Sequence, residues 1–80
     1  MLNLKGLYFL APMFARNKFE KRIINDLECP CYKIVGNTKY FANEEKHLWV
    51  VMKKRLVSVF IDEGQPNLER EIRDKMYAKG

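Results

Sequence analysis

The sequence is poor in the residues that carry catalysis. His47 is its one histidine, and it has neither a Ser-centred elbow, a phosphate-binding glycine loop nor a paired-carboxylate constellation. Acid-base and nucleophilic chemistry need a base set against a reacting group, so the expectation is a protein that is not an enzyme. Cysteine is equally scarce, with Cys29 and Cys31 flanking Pro30. Two thiols make no disulfide framework, and zinc sites usually space paired cysteines by about two to four residues. With His47 they supply three zinc ligands and lack a fourth, so neither a metal nor another cofactor is expected. No long hydrophobic run is present: the stretch GLYFLAPMFA ends within residues 6–15, against roughly twenty apolar residues for a spanning helix. It imitates a signal-peptide core, but one lysine precedes it and Pro12 interrupts it, which favours a soluble, cytoplasmic protein with no membrane partner. Linkers, repeats and low-complexity tracts are missing too, so residues 1–80 read as a single domain.

What the chain does have is apolar content and positive charge. Hydrophobic residues make up 48%, enough to argue against disorder. A core this small leaves room for a homodimer or a partner to add stability. The formal charge is +5 with a pI near 9.4, which favours polyanionic partners. Residues 1–40 carry seven basic and three acidic side chains, residues 41–80 eight and seven. Lys53, Lys54 and Arg55 are consecutive, whereas Asp62, Glu63, Glu69, Glu71 and Asp74 gather further on.

Hydrophobic periodicity orders the elements. Residues 2–10 read as a strand ended by a turn at Pro12. A helix over 17–27 follows, capped by Asn17 with Glu20 three positions on, its apolar face made of Phe19, Ile23, Ile24 and Leu27. The opposite stripe is Lys18, Lys21, Arg22 and Asn25. YKIVGNTKYF at 32–41 predicts a hairpin around Gly36 and Asn37. Its register would place Tyr32 opposite Phe41 and Ile34 opposite Lys39 on one side, and Lys33 opposite Tyr40 and Val35 opposite Thr38 on the other. Tyr32 and Phe41 are assigned to the core, Lys33 and Tyr40 to the surface. Residues 46–61 fit two strands, because a helix capped at Asn43, the competing reading, leaves no clean polar face and puts Asp62 and Glu63 at the wrong end of its dipole. Turning at Lys53 and Lys54 would pair Val50 with Val57 and Leu48 with Val59. After a break at 64–67 with Asn67 as cap, Leu68, Ile72 and Met76 mark a last helix, supported by Glu69 with Arg73 and Glu71 with Lys75. The expected fold is α+β: a small antiparallel β-sheet, order β-α-β-β-β-β-α, with two helices packed on one face.

From residue 16 onward the α-β-β-β-α order, allowing one extra strand, is similar in outline to the double-stranded-RNA-binding domain and to the small HicA-type toxin fold. The chain departs from the first because NLEREIRD opens its last helix on an acidic note rather than with lysines, and from the second because a Gly-Ser-His segment is absent. In size and character it also resembles small phage accessory proteins.

The function expected from the residues is binding of RNA, or of single-stranded nucleic acid generally. Bases stack on aromatic faces while lysines neutralise phosphates, and the candidate surface combines Arg16, Lys18, Lys21 and Arg22 with Lys33, Lys39, Tyr40, Lys53, Lys54 and Arg55. A protein-binding inhibitor or antitoxin-like module, using a sheet edge or the acidic last helix, is the alternative from another class. The third is a small ribonuclease using His47, with Glu44 and Glu45 nearby and Lys53 to Arg55 as cationic support.

Overall fold

Period-two alternation builds the sheet, and the computed structural model describes it within residues 3–11 and 16–77, the side chain of Arg16 excepted. Strand β1 (Leu4–Leu10) is followed by helix α1 (Arg16–Leu27), strands β2 (Cys31–Val35), β3 (Thr38–Asn43), β4 (Leu48–Lys53) and β5 (Leu56–Asp62), and helix α2 (Pro66–Tyr77). This is the expected α+β order. The strands form one sheet, β1-β5-β4-β3-β2, with every neighbouring pair antiparallel. The turn proposed at Pro12 lies outside the described residues.

All the deeply buried strand side chains share one face: Leu7 and Phe9, Phe41, Leu48, Val50 and Met52, and Val57, Val59 and Ile61. Phe19, Ile23 and Leu27 of α1 and Ile72 and Met76 of α2 close over that face in the same core. These are spacings of four, which put the side chains on one helical stripe. Both helices therefore cover one side of the sheet.

Helix ends show where their last carbonyls find donors. Past α1, Glu28 adopts a left-handed φ of 52°. Lys75 Nζ donates to the carbonyl of Asp26, Cys29 Sγ to that of Leu27 and Asn43 Nδ2 to that of Glu28. Arg22 Nη2 donates to the carbonyl of Met76 near the end of α2.

Four local expectations are corrected. Helix α1 begins at Arg16, so Asn17 lies inside it rather than capping it. Helix α2 begins at Pro66, with Glu69 N donating to the carbonyl of Gln65 at 3.1 Å. Proline suits that first position because its missing N–H has no helical partner there, and Asn67 is already helical. The β4–β5 turn falls at Lys54 and Arg55, one residue later than expected, so Val50 faces Val59 and Leu48 faces Ile61. The single aliphatic face survives because a shift by two partners preserves the side. Finally, the β2–β3 ladder slips between Cys31 and Lys33: Cys31, not Tyr32, is the partner of Phe41. The other three pairs follow the expected register, and Tyr32 is 61% exposed instead of buried.

Candidate nucleic-acid interface

Among the described residues no helix covers the face of the sheet opposite α1 and α2, and the register determines what this bare face displays. One row across the strands is Lys33, Tyr40, Val51, Ser58 and Tyr8; the next is Ala42, Trp49, Phe60 and Gly6. A third, toward the Gly36-Asn37 and Lys54-Arg55 turns, is Val35, Thr38, Lys53, Leu56 and Leu10. Aromatic rings in these rows thus come from four strands, β1, β3, β4 and β5.

Gly6 has a specific part in this surface. A Cβ there would lie 3.0 Å from the Tyr8 hydroxyl oxygen and 3.5 Å from the Phe60 ring. Tyr8 therefore folds back over the glycine toward Phe60, an aromatic covering a gap in a strand. On the other edge the slip in β2 re-aims Tyr32, as bulges do. Its ring lies 6.2 Å from that of Tyr40. Lys33 Nζ stands 5.9 Å from the centre of the Tyr40 ring, within cation–π range. Between Tyr32 and Trp49, where Ala42 has only a methyl group, opens a cleft of about 330 Å³ whose remaining lining is Pro30 and Glu44.

Charge is distributed unevenly along the strands. Lys53, Lys54 and Arg55 are exposed at one end of the sheet. At the other, Glu44 and Glu45 occupy the β3–β4 turn, Asp62 ends β5 and Glu63 follows it. A polyanion crossing this face meets favourable potential at one end and unfavourable potential at the other.

The structure separates the candidate basic residues into groups. Lys33 and Tyr40 share the bare face, with Lys53 in the next row and Lys54 and Arg55 in the adjoining turn. Lys18 and Lys21 are exposed on α1, on the far side of the sheet. Arg22 is half-buried: its guanidinium lies 5.1 Å from the Phe19 ring centre and donates to Met76. Lys39 points to the helix side and pairs with Glu20. The side chain of Arg16 lies outside the described residues.

His47 sits in the β3–β4 turn with a left-handed φ of 51°, its ring 6.4 Å from Trp49. Cys29 is fully buried, and burial pushes its thiol up to about 11, partly opposed by the positive charge of Lys46. Cys31 is exposed. No group of three or more metal-ligating side chains gathers among the described residues, and no described helix is long and apolar enough to cross a membrane.

Sequence reasoning picked out Tyr40 and Lys33 and missed the outward roles of Tyr8, Tyr32, Trp49 and Phe60, and that of Glu44. For Tyr8, Trp49 and Phe60 the signal was present, since each alternates with buried neighbours. Tyr32 gave none, because a bulge has no period. No family model matches the chain, and neither a curated protein nor a solved structure matches it.

Proposed function

We propose that the protein binds single-stranded nucleic acid on the bare face of its sheet, with bases against Tyr40, Tyr32 and Trp49 and phosphates near Lys33, Lys53, Lys54 and Arg55. The observation that carries this reading is the row in which Lys33 stands over Tyr40 beside a second tyrosine, one step from the basic turn. Stacking contributes about 1 to 3 kcal/mol per base and tolerates any base. A single strand suits the surface better than a duplex, for two reasons. Duplex bases have their faces covered by their neighbours, and the major groove admits a helix or a two-stranded ribbon rather than a five-stranded sheet.

Trp49 is the only tryptophan and reports on this face directly. Titrating short single strands at low salt is expected to quench its emission, while a duplex of equal length has a much smaller effect. If single strands leave the emission unchanged and show no binding in a parallel anisotropy titration, the proposal fails.

A protein partner is the second reading, and one observation favours it. Leu4, Tyr8 and Leu10, all outward on edge strand β1, are 49%, 63% and 73% exposed and carry no charge. Such a patch suits protein contact. Concentration-dependent mass in light scattering, abolished by Leu10→Lys, would support a contact between copies there.

A further inference from the structure

We infer that the cleft over Ala42 is a nucleobase subsite selective for guanine, with the ring held between Tyr32 and Trp49 and Glu44 accepting hydrogen bonds from its Watson–Crick edge. This rests on the single-strand reading and adds a base preference to it.

The shape comes first. A cleft of about 330 Å³ is at the small end of ligand sites, suited to one flat ring system rather than a whole nucleotide. Ala42 is the partner of Trp49 across the β3–β4 ladder, so the floor is a methyl group beside an indole. The opposite wall exists because of the slip that exposes Tyr32. Pro30 is tied down, since Ala42 N donates to its carbonyl at 3.3 Å and Asn43 Nδ2 secures the neighbouring Glu28 carbonyl at 3.1 Å. The wall is thus fixed to the strand that forms the floor.

The chemistry of the edge follows from Glu44, the one carboxylate in the lining. Its turn is closed by His47 N donating to the Glu44 carbonyl at 3.1 Å and Lys46 N donating to Asn43 Oδ1 at 3.2 Å. The nearest lysine in sequence is engaged elsewhere, with Lys46 Nζ 3.1 Å from Glu28. Among the described residues Glu44 makes no ion pair. An ionised carboxylate only accepts hydrogen bonds and offers two oxygens side by side. Guanine alone among the four bases presents two adjacent donors on one edge, N1–H and the exocyclic amino group. Adenine and cytosine place a lone pair next to their amino group, and uracil flanks its single N–H with two carbonyl oxygens. Each would press an acceptor against the carboxylate, which is costly.

The rest of the strand has a direction to follow. Moving along β3 from Ala42 to Tyr40 to Thr38 advances about 6.8 Å per step, close to the spacing of nucleotides in an extended strand. The path leads from acidic Glu44 to Lys33 and then Lys53, so the phosphates are drawn away from the carboxylate.

The test uses the intact chain, Trp49 emission, and the pentanucleotides UUGUU, UUAUU, UUCUU and UUUUU, with tetramethylammonium as a further ligand. UUGUU is expected to bind about tenfold tighter than the others, the scale of one bidentate base contact. Glu44→Gln should bring the four to near parity, and Ala42→Leu, which fills the cleft, should abolish the preference through a different atom set while lowering the affinity for all four. Equal affinity of the four pentanucleotides for the parent overturns the guanine subsite while leaving single-strand binding intact. Binding of none of them overturns both. Tetramethylammonium displacing UUGUU competitively would make the cleft an aromatic cation site instead, as would quenching by that ion alone.

Discussion

Lys39 Nζ lies 2.7 Å from Glu20 Oε2, joining β3 to α1 on the helix-covered side of the sheet. The glutamate side chain is 11% exposed and the lysine 35%, so the pair is partly desolvated. Substituting the lysine leaves a largely buried carboxylate without this partner. Such losses are larger than for surface pairs but are reduced here by the lysine's exposure. Lys39→Gln should destabilise the fold by about 1 to 2 kcal/mol, whereas Lys33→Gln, on the bare face, should stay within roughly 0.5 kcal/mol of the parent. Urea unfolding of the two variants separates them, and equal midpoints would show that the pair contributes nothing.

Phe41 and Tyr32 give the sharpest contrast within one hairpin. Phe41 is 1% exposed and Tyr32 61%. Phe41→Ala should cost about 3 to 5 kcal/mol through lost burial and the cavity left behind, a large part of the stability of a chain this short. Tyr32→Ala should cost less than about 1 kcal/mol. Comparable thermal shifts for the two would mean that the bulge is absent and both rings are buried.

That contrast also marks how far the sequence could be read. Turn signals and periodicity identify every element, and periodicity gives the buried face of α1, α2, β4 and β5, because burying one side of a strand or helix constrains every second, or every third and fourth, residue. Val50, Val57 and Leu48 were placed on a common face correctly even though their partners were shifted, since the side survives a shift of two and the partner does not. The bulge at Tyr32 left no trace in pattern, being one residue long. Spacing alone puts Lys18, Lys21, Arg22 and Asn25 of α1 on one stripe. Whether Arg22 reaches Met76, and whether Glu20 meets Lys39, depends on residues far apart in the chain. The same holds for the cleft, whose lining comes from the α1–β2 connection, β2, β3, the β3–β4 turn and β4.

Cys29 predicts a loss of stability in alkali. Its buried thiol is raised to about 11 from an ordinary value of 9.0, so the folded protein holds this proton where the unfolded chain has released it. Stability then falls as pH rises, and the window lies between those two values. The effect is on the order of 2 kcal/mol across it. Lysines and tyrosines titrate in the same range, so the measurement is the difference between parent and Cys29→Ala, which should narrow by that amount as the pH is raised. Iodoacetamide under native conditions near pH 8 should label Cys31 and spare Cys29. A constant difference together with rapid double labelling would contradict the burial of Cys29.

Salt dependence distinguishes the two sides of the molecule. Each phosphate neutralised on a single strand contributes about −0.7 to the slope of log affinity against log salt. If Lys33, Lys53, Lys54 and Arg55 make four such contacts on the bare face, the parent slope should be about −3. Replacing Lys53 and Lys54 with Gln should reduce it to about −1.4, whereas the same replacement at Lys18 and Lys21, across the sheet on α1, should leave it unchanged. Both pairs of lysines are exposed, so neither double variant is expected to unfold. Tyr40→Ala supplies the independent control: it removes a stack and no charge, so affinity should drop by about 1 to 3 kcal/mol at a constant slope. The reverse ordering, with the slope lost on changing Lys18 and Lys21 and kept on changing Lys53 and Lys54, would move the binding surface to the helices and leave the aromatic face to a different partner.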